Sequence, residues 1–586
     1  MGFSGLAIAT SGIRAAQTNL AVTGHNISNA EIPGFSRQRV VQTTAFVRNV
    51  AINHAGERLR VGHGTDWNAV QQIRNEFLDF SYRQNVGRLQ FYSTVVQAGL
   101  VVESLLGEMH GAYSFQSVLN DMWYSIQELS SHTDGIAQRN LFIATVNSFL
   151  NKAQEVYRGL VEYQHNLDAQ IREMVMEINE LVSNVDRLNL QIRNAEAAGD
   201  NANDFRDERH RVLDRLAELI PLDAFTAPNG DVQLLSQGHE LLANGRQNLL
   251  GFRFISDEFS FVEPVFTTSR DILSAGTPPT DFRSFTNYSV PMNSANRNDQ
   301  GALNALLMAR GTAPANRLSP DVPAPAYPGI SPRTGIAYTG LDDPILLADQ
   351  HNWRAHQWSI NNAMIPQVQM NLDRIVFSVV NILNDAVMGN LRDVNDDVFF
   401  ADEGPPLDMH GNEGIPIFIR NMNENDTTFT WPVTDENASF VNTILTITNL
   451  QVNPALLGRD GHNFLALSVT GGEFDNRLVL AMQEMWSSAD PDSPYAVNIN
   501  NRYFNVQDAY IFFTGTIATE ISEANSFVAS QTVQVIQADN LRNAIKGVSM
   551  DEELNAMLRF QFAFQAASRV FNVIDAMIEQ VLMRMF

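Results

Sequence analysis

The sequence predicts an α+β multidomain protein with paired N- and C-terminal coiled-coil helices, a long helical-bundle rod domain and one or more inserted β-rich domains. Three observations carry this expectation. Apolar residues recur in alternating steps of three and four at both ends of the chain; a third such stripe runs through the interior; and short strand-like runs punctuated by Gly, Asn and Pro lie between the helical stretches. At 586 residues the chain is several domains long. Its 44% hydrophobic content, including 35 Phe, supplies enough apolar side chain to build real cores.

At the N-terminus, Leu6, Ala9, Ile13, Ala16, Leu20, Thr23 and Ile27 share one narrow stripe of period 3.5, the pattern of a coiled-coil seam. Ala7, Ala15 and Ala21 flank it and permit close approach by a partner. Asn26, Ser28 and Asn29 suit a helix end, and Pro33-Gly34 suits the two central positions of a type II turn, since proline fixes φ and glycine tolerates the positive φ that follows. The chain is expected to leave the helical core there.

In the interior, Leu167, Ile171, Met174, Ile178, Leu181, Val185, Leu188 and Ile192 form a further seam that stops at the Ala-Ala-Gly-Asp of 197–200. The helical pattern resumes through Val212, Leu216 and Leu219 before Pro221, which predicts a long helical hairpin. From 222 to about 300 the runs shorten and become strand-like. Helix is expected again at about 352–388, a mixed β and loop stretch follows to about 450, and helical patterns return from about 507. The C-terminal seam is the most regular: Met557, Phe560, Phe564, Ala567, Phe571, Ile574, Ile578, Val581 and Met585 run without a slip. Ser549 followed by Asp551, Glu552 and Glu553 marks its start, where carboxylates complement the helix dipole. Leu554, Leu558, Phe562, Val570, Val573, Met577 and Leu582 lie off the seam, so this helix is apolar on more than one face and calls for more than one neighbour.

These signals divide the chain into 1–32 with 548–586 as a terminal coiled-coil core domain and 33–221 with 352–392 and 450–547 as an elongated helical rod domain. Residues 222–351 are expected as a β-rich inserted domain with a Pro-rich insertion, and 393–449 as a second mixed β and loop insertion. The paired termini admit two readings, an ordinary helical pair inside one globular domain or ends buried between identical subunits of a polymer, and composition leaves both open.

Composition excludes much chemistry. Zero cysteines remove disulfides, thiolate nucleophiles and Cys-ligated metals. The two lysines, Lys152 and Lys546, do not follow glycine, so no Gly-Lys-Ser/Thr phosphate loop exists. The formal charge of -26 disfavours nucleic acid, although residues 1–60 carry six Arg against Glu31 and Glu57. No apolar run is expected to reach the roughly 18–20 residues that span a bilayer, the nearest being Val95–Leu106 and Ile375–Leu383, and the first residues lack the pattern of a cleavable signal peptide. Asp393, Asn395 and Asp397 are spaced like the start of a calcium loop, but Val398 stands where the loop needs Gly and Gly404 where it needs Glu, so a solvated acidic loop is expected. His351 and His356 are five apart, off the spacing of a zinc helix, and are expected at the surface. Asp204, Asp207, Glu208, Arg206 and Arg209 are expected to cap and pair along one helix. No catalytic, cofactor-binding or metal-binding residues are assigned, no cofactor is expected, and an enzyme is not expected.

The residues at both ends are more specific than their periodicity. The run SGIRAAQTNLAVTGHNISNAEIPGFSRQRV resembles the N-terminal signature of the flagellar rod, hook and hook-associated axial proteins, and GVSMDEELNAMLRFQFAFQAASRVFNVIDAMIEQVL resembles the matching C-terminal signature. Ser36-Arg37-Gln38, NANDFRDERHRVLDRLAELI at 201–220, GALNALLMAR at 301–310, MIPQVQMNLDRIVFSVVNILNDAV at 364–387 and LQVNPALL at 450–457 resemble the branch of that family found at the hook-filament junction. The resemblance implies a structural adaptor of the bacterial flagellum, secreted through the flagellar export channel and extracellular, or periplasmic if the flagella are enclosed. The partners it implies are the hook protein, hook-associated protein 3, further copies of the same chain in a ring, an export chaperone and the type III export apparatus, with no nucleic acid and no membrane insertion. Leu6, Ile13, Leu20, Ile27, Phe560, Phe564, Phe571, Ile574, Ile578 and Val581 are the expected assembly interface, and Pro33 and Gly34 the turn that leaves it. The alternatives are the hook protein itself, or a surface-displayed binding module or wall-cleaving enzyme on a flagellar scaffold.

Overall fold

The computed structural model describes residues 2–584 except 46, 53–57, 108–113, 257–259, 268–270, 422–444 and 473, and leaves the side chains of 2–4, 47–52 and 58–61 outside the description. Met585 of the C-terminal seam and residues 422–444 of the expected insertion at 393–449 therefore lie outside the described residues. Helices run in the order α1 (Gly2–Ser28), α2 (Glu76–Leu106), α3 (Phe115–Ser131), α4 (Ile136–Ala197), α5 (Asn203–Leu219), α6 (Ala302–Arg310), α7 (Pro344–Asn362), α8 (Met364–Val387), α9 (Pro454–Leu457), α10 (Arg477–Ser487), α11 (Val506–Lys546) and α12 (Met550–Met583). Short antiparallel sheets fill the intervals. The fold is thus α+β, in two compact units.

Unit 1 comprises Met1–Gln90, Glu177–Leu249 and Ala529–Phe586. In it α1 lies along α12. Residues 38–44 pair antiparallel with 65–72, with a register shift between Val41 and Gln42, and a second antiparallel pair joins 47–52 to 58–62. The expected helical domain from residue 33 therefore begins with strands. Its β-branched Val40, Val41, Thr43 and Thr44 favour the extended state, and no apolar 3.6-residue period competes with it. A four-stranded meander of 223–226, 232–236, 239–243 and 246–247 follows α5, as the strand-like runs predict.

Unit 2 comprises Phe91–Met176 and Leu250–Val528. Its centre is α8, buried almost all round through Ile365, Val368, Leu372, Ile375, Val376, Val379, Ile382 and Leu383. Such a helix is the middle of a core rather than its edge. Around it α3 starts under a Ser114 side chain that accepts from the Ser117 N–H, and α7 starts at Pro344 with Asp343 accepting from Ile345 N–H. Strands 250–254, 262–266 and 283–284 form an antiparallel sheet. The portion of α2 in this unit buries Phe91, Val95, Ala98, Val102 and Leu106. By length and composition α2 is apolar enough to cross a membrane, which corrects the expectation that no run reaches that length. Its polar interruptions fall on one side, leaving this apolar stripe to the core.

The buried stripe of α4 departs slightly from the expected seam. Val175 and Val182 are buried where Met174 and Leu181 were expected, the others being unchanged, because a straight α-helix repeats at 3.6 rather than 3.5 residues. Gly199, at φ +83°, follows the end of α4.

Candidate assembly site

The pairing of α1 with α12 has one constant register. A Cβ built on Gly5 would lie 3.0 Å from Ile574 Cδ1, one on Gly12 would lie 3.5 Å from Ala567 Cβ, and Asn26 Nδ2 donates to Glu553 Oε2 at 3.2 Å. In every pair the two numbers add to the same value, so the helices are antiparallel and in step from end to end. The residues of α1 that meet α12 are small: Gly5, Ala9, Gly12, Ala16, Asn19, Thr23 and Asn26 alternate in steps of four and three, and Ala9, Ala16, Asn19, Thr23 and Asn26 are buried. Absence of large side chains lets the two backbones approach.

The predicted apolar residues sit beside that line rather than on it. Leu6, Ile13, Leu20 and Ile27 are half-buried, as are Phe560, Phe564, Phe571, Ile574 and Ile578; Val581 is exposed. Only Glu553 and Ala556 of α12 are buried. Leu554, Leu558, Phe562, Val570, Val573, Met577 and Leu582 are exposed, Phe562 to 66%. The expected seam already held Ala9, Ala16 and Thr23 of this line, but placed Leu6, Ile13, Leu20 and Ile27 on it where Gly5, Gly12, Asn19 and Asn26 stand.

The base of the pair is polar. Asn26 is 1% exposed, and besides Glu553 it binds the Gln38 backbone twice, donating to its carbonyl at 2.9 Å and accepting from its N–H at 3.0 Å. Arg37 donates through Nε to Glu553 at 2.6 Å and through Nη1 to Glu552 at 2.9 Å, while its backbone N–H donates to the Lys546 carbonyl at 2.8 Å. Glu553, 3% exposed, is therefore a buried carboxylate held by the other end of the chain. Pro33 is exposed and Gly34 half-buried; Phe35 N–H donates to the Ile32 carbonyl at 3.2 Å across them, and Gly34 takes φ +87°.

Ser36 and Gln38 reach α5. Asp207 accepts from the Ser36 N–H at 3.1 Å and Oγ at 2.6 Å, and Arg74 donates to both Ser36 Oγ, at 2.9 Å, and Asp207. Asn203 donates to Gln38 Oε1 at 3.1 Å and to the Val70 carbonyl at 3.0 Å. The expectation that Asp204, Asp207, Arg206 and Arg209 serve one helix is thus corrected. Glu208 does pair with Arg211 along α5, but Arg206 binds Glu196, and Arg209 binds Asn189 and the Gly230 carbonyl. Carboxylates and guanidiniums near a helix start serve whatever backbone lies opposite, and local spacing cannot name it.

Burial raises the Asp207 carboxyl, and its bonds from Ser36 and the Arg74 charge offset this only in part. Burial would raise Asp79 also, but hydrogen bonds from Arg74 and the charges of Arg74, Arg83 and Arg542 outweigh it and hold Asp79 below its ordinary range. His210 Nδ1 accepts from Arg83 Nη2 at 3.1 Å, and burial together with four neighbouring cations keeps it far below the usual imidazole range.

The other candidates resolve as packing. Asp393 accepts from the Asn395 and Asp397 N–H groups at 2.8 and 2.9 Å, a self-contained loop. His351 is not at the surface: it contacts Glu263 at 3.2 Å and packs edge-on to Phe282 and Tyr288, while burial lowers His356. Both histidines face inward because α7 packs on α8 and the sheet on different sides.

Residues 101–315 match the family model for the flagellar hook-associated protein FlgK helical domain. The chain is 23% identical to flagellar hook-associated protein 1 of Bacillus subtilis (strain 168) over 99% of its length and 98% of that protein. It is 20% identical to flagellar hook-associated protein 1 of Salmonella typhimurium and 21% identical to that of Escherichia coli (strain K12), each over 98% of both chains. The flagellar hook junction protein FlgK of Burkholderia pseudomallei has the same fold, with a TM-score of 0.51 at 11% identity, covering 80% of this chain and all of that one. A family model over the helical region, relatives matched from end to end and a shared fold agree in making this chain similar to flagellar hook-associated protein 1.

Proposed function

We propose that the chain is a structural component of the bacterial flagellum that acts as the adaptor between hook and filament, assembling through α1 and α12. The observation that carries this reading is the state of α12. One side is docked on α1 in a single register, while Leu554, Leu558, Phe562, Val570, Val573 and Met577 stay open to solvent. Burying one such side chain contributes on the order of 1.5–3 kcal/mol, so several together favour strongly a neighbour that covers them. In this reading 1–32 and 548–586 form the assembly core, and Leu6, Ile13, Leu20, Ile27, Phe560, Phe564, Phe571, Ile574, Ile578 and Val581 line it. Pro33 and Gly34 turn the chain out of it.

The partners are further copies of the chain, the hook protein below and hook-associated protein 3 above, with an export chaperone covering the C-terminal apolar face before passage through the type III apparatus. The protein performs no catalysis in this role. Deleting residues 557–586 from the chromosomal copy and imaging the cells by electron microscopy tests it: hooks without filaments are expected. Filaments of normal number on the deletion strain refute the adaptor assignment.

A further inference from the structure

Small-residue seams associate closely but specify position poorly. The α1 line repeats every seven residues, Gly5 with Gly12, Ala9 with Ala16 and Asn19 with Asn26. Sliding α1 by one heptad, about 10 Å along the axis, would keep a small or short polar residue at each position of the line, with Gly12 then meeting Phe560 or Ile574 in place of Ala567. The charged base of the pair is a feature that no slip reproduces. Glu553 is buried, and the partners that satisfy it, Asn26 and Arg37, both come from the N-terminal segment. A slip of seven residues in the direction that brings Asn19 opposite Glu553 still carries Arg37 away, and the opposite slip leaves Glu553 facing neither. Either slip leaves a buried carboxylate without its cation, a state far costlier than the loss of a surface ion pair.

We infer that Glu553, with Asn26 and Arg37, is the register lock of the α1 and α12 pair, the polar group that favours one alignment over those displaced by a heptad. Single buried polar residues have this role in coiled coils. The consequence reaches the outer surface, because the register decides which exposed residues of α12 stand beside Leu6, Ile13 and Leu20 and so what apolar face a neighbour meets. Glu553 is a positioning residue and touches no partner itself.

The absence of cysteine makes the test direct. Gly12→Cys with Ala567→Cys places two Cβ atoms at the separation a disulfide needs, since a Cβ on Gly12 would lie 3.5 Å from that of Ala567. Gly12→Cys with Phe560→Cys, or with Ile574→Cys, can close only after a slip of one heptad. Each pair is introduced into the full-length chain, purified, oxidised by dissolved oxygen and scored by gel mobility and peptide mass. With Glu553 intact the native pair is expected to close at least about tenfold more than either slipped pair. With Asn26→Leu and Glu553→Leu together, slipped products are expected to rise to a level comparable with the native one. Glu553→Gln, which keeps a hydrogen-bonding oxygen for Asn26 and Arg37 without the charge, is expected to fall between. If the leucine variant still closes only the native pair, the short connections at 29–35 and 547–549 set the register and the inference fails. It fails equally if that variant closes no pair at all, since Glu553 would then supply stability and not alignment. Neither result bears on the hook-filament assignment, which rests on the deletion phenotype.

Discussion

Removing the carboxylate of Asp168 is expected to cost unit 2 about 3–5 kcal/mol, the usual penalty for leaving a buried charge without its partner. Arg310, at the end of α6, has a side chain 1% exposed and donates through Nη1 to Asp168. The same carboxylate accepts from the Val262 N–H at 2.9 Å and from Arg172 Nε at 2.8 Å. In Asp168→Ala the Arg310 guanidinium keeps the Gly311 carbonyl and the Phe261 ring face but has no anion, and its depth excludes water. Arg310→Met is milder, about 1–3 kcal/mol, because Asp168 retains the Val262 N–H and Arg172. Asp168→Leu with Arg310→Met removes both buried charges, leaving the Val262 N–H without its acceptor, the Gly311 carbonyl without its Arg310 donor and the half-buried Arg172 with the Ser260 carbonyl, so the double variant should be more stable than Asp168→Ala. Trp123, Trp353, Trp358 and Trp486 lie in unit 2 and Trp67 in unit 1, so urea unfolding followed by tryptophan fluorescence in a Trp67→Phe background reads this unit. With an m-value of roughly 3 kcal/mol/M, the midpoint for Asp168→Ala should fall by about 1–1.7 M. A loss below about 1 kcal/mol, or a double variant no better than the single, would show that the pair is not held as described.

Two further outcomes concern unit 1. Gly64 takes φ +100° and a Cβ there would overlap Ser11 Oγ and approach Ile8 Cα to 3.3 Å, so Gly64→Ala should destabilise the docking of α1 on the hairpin by at least about 1–2 kcal/mol. Adding Ser11→Gly should recover part of that loss in thermal unfolding, and no recovery would mean the backbone conformation alone is responsible. Asp79 is held below its ordinary range in the fold, so the stability it contributes is complete above the unfolded carboxylate pKa of about 4 and is lost as pH falls through the lower folded value. Asp79→Asn should flatten the acid-denaturation profile below about pH 4, and an unchanged profile counts against the Arg74 and Arg542 pairing. Asp207, raised by burial, contributes with the opposite sign, so the difference between wild type and variant is the quantity to measure.

Much of the helical framework was legible in the sequence because it is local. The end of α1 before Pro33, the stop of α4 before Gly199 and the start of α12 after Ser549 each follow from a few adjacent residues whose backbone preferences do not depend on the rest of the fold. The strands at 38–72 escaped because a short β-branched run inside a long helical stretch carries little weight until its partner strand is known. Half of the α1 contact line escaped for a different reason, although Ala9, Ala16 and Thr23 lay in the expected seam. Large apolar residues are the usual mark of a seam, whereas here Gly5 and Gly12 make the close contact and the leucines and isoleucines flank it. His351 was expected in solvent, since nothing in its neighbours along the chain announces Glu263, 88 residues earlier.

Composition and local pattern by themselves determined the helix boundaries, the absence of thiol and phosphate-loop chemistry, and terminal signatures specific enough to name a family, because each depends on residues close in the chain. Tertiary structure alone decided which polar groups are buried and with whom. Asn26 meets Glu553 across 527 residues, and Ser36 meets Asp207 across 171. A buried donor or acceptor must be satisfied by whatever the fold brings to it, and the free energy that selects that partner comes from desolvation at the final site, a quantity that no stretch of sequence contains.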